Sequence, residues 1–324
     1  MFESQLHKHN IAQYNQLPIQ LDIMISVECN AHCEFCVQEA TWKPAQTDYD
    51  SFIKGLSETF DTFFRLGGRR VVITGGEPTL FMDYVLGALD VMQPYGRLDV
   101  KAVYTNGSLL LKHMSDNQDA TYASAMKQHG LQDINLSVHH YDNAINNKIL
   151  RLPDKSSTRD IISHCVDLGL DVRLNLTLQK GGIENFAQFL EYVHFGFSQG
   201  VKEIYVRELF KFCFDEPKCN SNRNSIKISR ERFVNSESIL AQALSLKEFE
   251  QIGQLKESTR VKTEIELLHL PSKKRVYISS LEIGTEKKDS IPYLIYMPNG
   301  ALYRGWLDEK DKINTNILIE MGSK

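Results

Sequence analysis

Apolar and polar residues alternate through "LDIMISV" (21–27), the two-residue period of a strand. The period then lengthens. In "SFIKGLSETFDTFFRL" (51–66), Phe52, Leu56, Phe60, Phe63 and Phe64 fall at helical spacing, with Asp50 or Ser51 as cap and Gly67–Gly68 as stop. The same alternation of elements continues downstream. Strands are predicted at 69–76, 98–107, 133–140, 170–179 and 201–210, and helices at 82–92, 121–130, 157–168 and 183–197.

Six strands separated by helices describe a parallel sheet built from strand–helix–strand units. Six units are too few to close an eight-stranded barrel, so an open partial barrel or a doubly wound sheet is expected. Either architecture gathers reactive residues at the carboxyl ends of its strands. Past residue 211 the pattern changes. "DEPKCNSNRNSIKISR" reads as a loop or linker, "SESILAQALSLKEFEQI" as a helix, and "KTEIELLHL" and "KRVYISSLEI" as strands. "YLIYMPNGALYRGW" reads as a hairpin turning at Pro298–Asn299–Gly300.

The chain has 324 residues and a net charge of −4, so no basic field argues for nucleic acid or an anionic membrane. It has neither an apolar run of membrane-spanning length nor a signal-like N-terminus, so a cytoplasmic location is expected. In a reducing compartment a tight cysteine triplet reads as a metal site rather than a disulfide framework. Three of the six cysteines, Cys29, Cys33 and Cys36, form such a C-x3-C-x2-C triplet directly after the first strand. Cys165 falls on an apolar helix face and reads as a small core residue. Taken alone, the triplet fits structural zinc or an iron–sulfur cluster, although no matching C-x2-C pair occurs downstream.

A second motif, "TGGEP" (74–78), follows the second strand. Its paired glycines let backbone approach a ligand closely, and Glu77 beside them is an anion able to accept from an ammonium group. With "YTNG" (104–107) after strand three and "LSVHH" (136–140) after strand four, the sequence resembles the radical S-adenosylmethionine (SAM) superfamily over about residues 19–210.

The resemblance implies a partial (β/α)6 TIM-type barrel, an α/β fold. With the change of pattern past residue 211, the chain divides into an N-terminal extension (1–18), a core (19–211) and a small C-terminal α+β appendage (212–324) that could cap the barrel. Cys29, Cys33 and Cys36 would hold one 4Fe–4S cluster, and SAM would supply the ligand of the fourth iron. Gly75, Gly76 and Glu77 would hold the SAM amino group, and Phe35 would lie beside adenine. An electron passed through the cluster would cleave SAM to methionine and a 5′-deoxyadenosyl radical that abstracts hydrogen from substrate. A low-potential donor such as flavodoxin or ferredoxin and oxygen sensitivity are implied with it.

Strand alternation extends the candidates. Asn135, Ser137 and His139 share one face of their strand, and Arg173, Asn175, Thr177 and Gln179 share one face of the next. In the family that the sequence resembles, these strands contact SAM ribose and carboxylate, which makes Ser137, Arg173 and Asn175 candidates for those contacts. Thr105 and Asn106 hold the same status, with a turn role as the competing reading. His139, Tyr141, Arg207 and Glu208 are candidates for the substrate pocket, while Trp306 reads as core.

Peptide-modifying relatives carry auxiliary clusters on a cysteine-rich extension, and the GTP-acting molybdenum-cofactor enzyme also keeps cysteines for a second cluster. Cys213 and Cys219, even with Cys165, are too few for a four-cysteine cluster, so a single cluster is expected. Single-cluster relatives of viperin match this count better, but flanking residues do not carry over their nucleotide substrate. Two alternatives stand beside the enzyme: a zinc-stabilised binding module, and an iron–sulfur electron carrier that does not cleave SAM.

Overall fold

The computed structural model describes residues 20–36, 43–96, 98–152, 156–209, 224–256, 261–281, 293–305 and 309–313. Cys213, Cys219 and Trp306 lie outside them.

The first two-thirds alternate as expected. The order is β1 (Gln20–Met24), α1 (Tyr49–Arg65), β2 (Arg70–Thr74), α2 (Met82–Met92), β3 (Val100–Thr105), α3 (Tyr122–Gln128), β4 (Asp133–Ser137), α4 (Asn143–Leu150), α5 (Thr158–Asp167), β5 (Asp171–Leu178), α6 (Phe186–Ser198) and β6 (Glu203–Glu208). The remainder is α7 (Asn224–Arg232), α8 (Ser236–Ser245), β7 (Phe249–Lys256), β8 (Val261–His269), β9 (Lys274–Leu281), β10 (Tyr293–Tyr296), β11 (Leu302–Tyr303) and β12 (Lys312–Ile313).

Strands β1 to β6 run parallel and in sequence order, the arrangement of a partial barrel. Their helix-facing positions form one apolar core: Leu21 and Ile23, Val71 and Ile73, Ile134 and Leu136, Leu174 and Leu176, and Ile204 and Val206. The aromatic stripe of α1 packs into it through Phe52, Phe60 and Phe63. The cap of α1 is Asp48, two residues before the expected Asp50, and its side chain accepts from Ser51 N–H.

Past β6 the C-terminal strands follow, largely antiparallel, as an addition to the parallel core. Strand β9 pairs parallel with β6, and β10 pairs parallel with β1, so the C-terminal strands widen the same sheet at both edges. The described strands form one twelve-stranded sheet, ordered β12-β11-β10-β1-β2-β3-β4-β5-β6-β9-β8-β7. The hairpin between β10 and β11 turns where expected, with Gly300 at a φ of 73°. Two other expectations change. Residues 224–230, the end of the stretch read as loop, belong to α7, and the helix expected to run on from Ser236 stops at Ser245, before β7.

Among the described residues no helix is long and apolar enough to cross a membrane.

Candidate active site

Beyond the last paired residues of β1 and β2, backbone hydrogen bonds continue to join the two chains. Ile25 N–H donates to Thr74 C=O (2.9 Å), Gly76 N–H to Ser26 C=O (2.8 Å) and Glu77 N–H to Glu28 C=O (2.8 Å). The cysteine segment is thereby held against "GGEP". Only glycine fits there: a Cβ on Gly76 would lie 1.9 Å from the Glu28 carbonyl oxygen, and one on Gly75 2.5 Å from that of Ser26.

Glu77 ties this pair to β3. Its Oε1 accepts from Thr105 Oγ1 (2.6 Å), Thr79 Oγ1 (2.5 Å) and Thr79 N–H (3.2 Å), and its Oε2 from Asn106 N–H (2.7 Å). The residue is 1% exposed, and burial pushes its carboxyl pKa up against the pull of these bonds. The expectation that the Glu77 carboxylate receives an ammonium group is therefore corrected: its oxygens are taken up inside the protein. The adjacent Gly75–Gly76 backbone keeps that candidacy.

Thr105 and Asn106 likewise join this network, and the Asn106 side chain also lies beside the Cys29 thiol. Asn106 Nδ2 donates to Asn30 Oδ1 (2.8 Å), Asn30 Nδ2 to Ser108 Oγ (2.9 Å) and Ser108 N–H to Asn106 Oδ1 (2.9 Å). For "TNG" the turn reading prevails: Gly107 has a φ of 81° and its N–H donates to Thr105 Oγ1.

The far side of the cysteine segment rests on α4, a helix not expected from the sequence. His32 N–H donates to Leu150 C=O (3.1 Å), and Ala31, Leu150 and Leu152 make an apolar collar against Cys29 and Cys33. Glu34 pairs with Arg151, the left-handed residue ending α4, and with Arg232 of α7 (2.5 Å). All three cysteines are half-buried. Burial pushes the Cys29 thiol up to about 11, with Glu77 and Cys36 adding to the shift. Such a thiol becomes a thiolate on meeting a metal cation.

Phe35 and His139 are brought together, ring edge to face at 5.2 Å and 85°. His139 Nδ1 accepts from Thr177 N–H (3.2 Å), which puts the ring proton on Nε2. Ser137 and Asn175 are register partners on adjacent strands, on the sheet face opposite the helices. Among the described residues, neither amide atom of Asn175 (8% exposed) has a hydrogen-bond partner. The same holds for Gln179, fully buried at the rim end of β5 and absent from the expected site. Buried amides without partners mark positions where a ligand is accommodated. In Gln179 the signal was legible, since it continues the polar face of Arg173, Asn175 and Thr177.

Three expectations shift, those for Arg173, Tyr141 and Glu208. Arg173 sits on the right face but one tier below Asn175, where its guanidinium bonds Asp133 (3.0 Å) and Glu203 (2.8 Å). It closes the barrel floor instead of meeting a ligand at the rim. Tyr141 turns to the helical layer, where Glu191 of α6, with burial, pushes its phenol up to about 12. Glu208 lies on the helix-facing side of β6 and accepts from Ser236 N–H (2.8 Å) and Oγ (2.9 Å), seating α8. Arg207, its neighbour, takes the opposite face, where Tyr104 and Glu264 favour its charged form against burial. His140 is also buried and accepts from Asp142 N–H, so of the adjacent histidines His139 is the one beside the cysteine segment.

The site fits the group that its motifs imply. Three thiols stand on one short segment, a glycine cradle lies hydrogen-bonded beside them, and orphaned amides are carried on β5.

Comparisons agree with this geometry. A GTP 3′,8-cyclase of Staphylococcus haemolyticus (strain JCSC1435) is 32% identical over 173 residues, covering 49% of this chain and 46% of that enzyme. The enzyme of the same name from Staphylococcus saprophyticus is 32% identical over 178 residues, with the same coverage. The chain thus spans about half the length of the curated relatives it matches. Among solved structures, Streptococcus suis SuiB bound to S-adenosylmethionine superposes with a TM-score of 0.57 at 15% identity, over 96% of this chain and 67% of that one. SuiB bound to its precursor peptide SuiA gives 0.53 at 16% identity, over 93% and 63%. The likeness to SuiB is one of fold, and it extends through the strands that flank the six-stranded core. The family model described as "Radical SAM superfamily" matches residues 23–195, and to that superfamily the chain belongs.

Proposed function

We propose that this radical SAM enzyme works with one 4Fe–4S cluster, held by Cys29, Cys33 and Cys36, and acts on a substrate admitted to the polar face of its sheet. The observation that carries the reading is the junction of the cysteine segment with the Gly75–Gly76 cradle, fixed by the hydrogen bonds from Gly76 and Glu77 N–H. When bound, the cluster and SAM supply reductive cleavage to methionine and a 5′-deoxyadenosyl radical, the source of hydrogen abstraction.

The chain's own residues bind, orient and shield. Gly75 and Gly76 offer backbone to the amino-acid end of SAM, Phe35 and His139 form an aromatic wall, and the Asn175 amide offers a donor and an acceptor. The apolar collar of Ala31, Leu150 and Leu152 keeps water from one side of the cysteines. Arg207 with Tyr104 and Glu264, and the stacked Tyr205–Tyr277 pair (4.6 Å, 12°), line the same sheet face toward β9 and are offered to substrate. The relatives named above are GTP cyclases, and SuiB binds a precursor peptide; the substrate here is an unidentified small molecule, nucleotide or peptide. A flavodoxin- or ferredoxin-like donor delivers the electron.

The spread of the sulfurs speaks against zinc. A tetrahedral ion with sulfur at ~2.3 Å draws its ligands to within roughly 4 Å of one another. Among the described residues, the three sulfurs are not gathered within 4.8 Å of one another.

The test is anaerobic reconstitution, then reduction with SAM present. Brown protein that releases 5′-deoxyadenosine and methionine supports the reading. Well-loaded protein that releases neither leaves an electron carrier, and colourless protein holding one zinc leaves a binding module.

A further inference from the structure

A second constellation lies at the other end of the sheet. His269 ends β8 opposite Lys274, the first residue of β9, and β9 begins level with the amino end of β6. His194 stands on the second half of α6, and Glu248 in the turn between α8 and β7. These elements converge on one point. Nε2 of His194 is 2.6 Å, and Nε2 of His269 3.0 Å, from the same Oε1 of Glu248. Ligand-capable atoms of all three residues lie within 4.8 Å of one another.

As a purely hydrogen-bonded clamp, the arrangement needs a proton on both Nε2 atoms. The surroundings of His269 favour the other tautomer as readily. Its Nδ1 is 2.8 Å from Ser272 Oγ, which already accepts from Lys274 N–H (3.3 Å). With the ring proton on Nδ1, the Nε2 lone pair faces a carboxylate oxygen, and a cation between them removes that repulsion. The ring is also enclosed, with a side-chain exposure of 4% and the rings of Phe197 and Phe249 each 5.2 Å away.

Two imidazole nitrogens and one carboxylate oxygen are a three-ligand set used for zinc, with a fourth position left to solvent. Imidazole selects such ions over magnesium or calcium. Ser272 supplies the outer hydrogen bond that fixes the ring of a ligating histidine. His194, 52% exposed, leaves the point open to solvent. Ligands at ~2.0–2.1 Å around a tetrahedral ion sit roughly 3.3 Å apart, so the His269 contact needs to open by about 0.3 Å and the His194 contact, on its exposed and adjustable side chain, by about 0.7 Å.

We propose that His194, Glu248 and His269 bind a divalent transition-metal ion of the zinc class, which clamps α6 to the β7–β8 edge of the sheet. This site is separate from the cysteine segment and does not depend on the reaction assigned there.

The test uses full-length protein with its cluster reconstituted anaerobically, so that iron fills the cysteines. Zinc is titrated against a competing chelator, and zinc, iron and melting temperature are read together. One zinc per chain beyond the iron, with a rise in melting temperature, is expected. His194→Ala should weaken zinc binding roughly tenfold or more, abolish the zinc-dependent rise and leave iron content unchanged. His194 is exposed, so this variant should fold; Glu248→Gln, which keeps the side-chain size, is the second. Equal zinc uptake by wild type and His194→Ala overturns the proposal. So does a loss of melting temperature in His194→Ala that is the same with and without zinc, since that is the behaviour of a hydrogen-bond clamp alone.

Discussion

Gly76→Ala is the most direct perturbation of the active-site junction. The added Cβ would stand 1.9 Å from the Glu28 carbonyl oxygen, 2.4 Å from its carbon and 2.8 Å from the Val27 oxygen. All three are backbone atoms, so no side-chain rotation relieves the contact. Reaching even ~3.0 Å requires the two segments to separate by roughly 1.1 Å, which lengthens the 2.8 Å Glu77 N–H to Glu28 bond beyond hydrogen-bonding range. A lost backbone bond costs about 1 kcal/mol and forced overpacking about 1–3 kcal/mol. The sum, about 3 kcal/mol, divided by an unfolding entropy of roughly 0.7 kcal/mol/K for 324 residues, lowers the melting temperature by about 4 °C. The functional loss should be larger, because Cys29 follows Glu28 directly and metal–ligand distances tolerate only ~0.2 Å. Iron and sulfide per chain after anaerobic reconstitution, with calorimetry of the same samples, measure both effects. Wild-type iron content with a melting temperature within about 1 °C of wild type would refute the reasoning.

Three further outcomes follow from the geometry. Glu77→Gln places an amide among four donors, so at least one N–H must face another; a loss of about 2–3 kcal/mol is expected in chemical denaturation, and an unchanged midpoint would count against the network. Asn175→Ala removes an amide that has no partner among the described residues, so stability should hold while SAM affinity, measured by equilibrium dialysis, falls roughly tenfold; the reverse pattern would make Asn175 structural. His140 is buried and its pKa lies below 6.5, so below that pH the unfolded chain binds more protons than the folded one. Its contribution to stability is full above pH 6.5 and is lost as pH falls through the lower folded value; calorimetry from pH 7 to 5 should show this slope weakened in His140→Asn.

The legibility of the fold varied with the source of each element's stability. Helix α2 runs from Met82 to Met92 as its apolar spacing predicts, because burial of one face stabilises it. Helix α4, "NAINNKIL", spans eight residues and buries Asn146 and Asn147 beside Ile149 and Leu150, so its buried face is not legible as an apolar one. Its support is the Asp142 cap and Asn146, whose side chain accepts from His139 N–H and donates to Thr158. Strand β7 contains Gly253 and pairs on one side only, through a bulge between Gln251 and Gly253, so its period was blurred. At the site, strand alternation told which face a residue takes but not its height, which is why Arg173 was grouped with Asn175. Glu77 misled for another reason. Its partners Thr105 and Asn106 lie nearly thirty residues away, and sequence spacing does not show that a carboxylate is already satisfied.

The neighbour of β1 in the sheet is β10, and that pairing has a consequence for biosynthesis. The hydroxyl of Tyr296 bonds the Phe52 carbonyl across 244 residues of chain, and the tyrosine itself is wholly buried. While the chain emerges from the ribosome, β2 to β6 can assemble in order, but one edge of the strand leading into the cysteine segment stays bare until residues near 296 are made. Contacts so distant in sequence slow folding, and a bare strand edge invites pairing with other chains. Iron delivered to a nascent chain would therefore meet a cysteine segment whose supporting strand is not yet flanked, so cluster insertion is best timed after synthesis has passed β10.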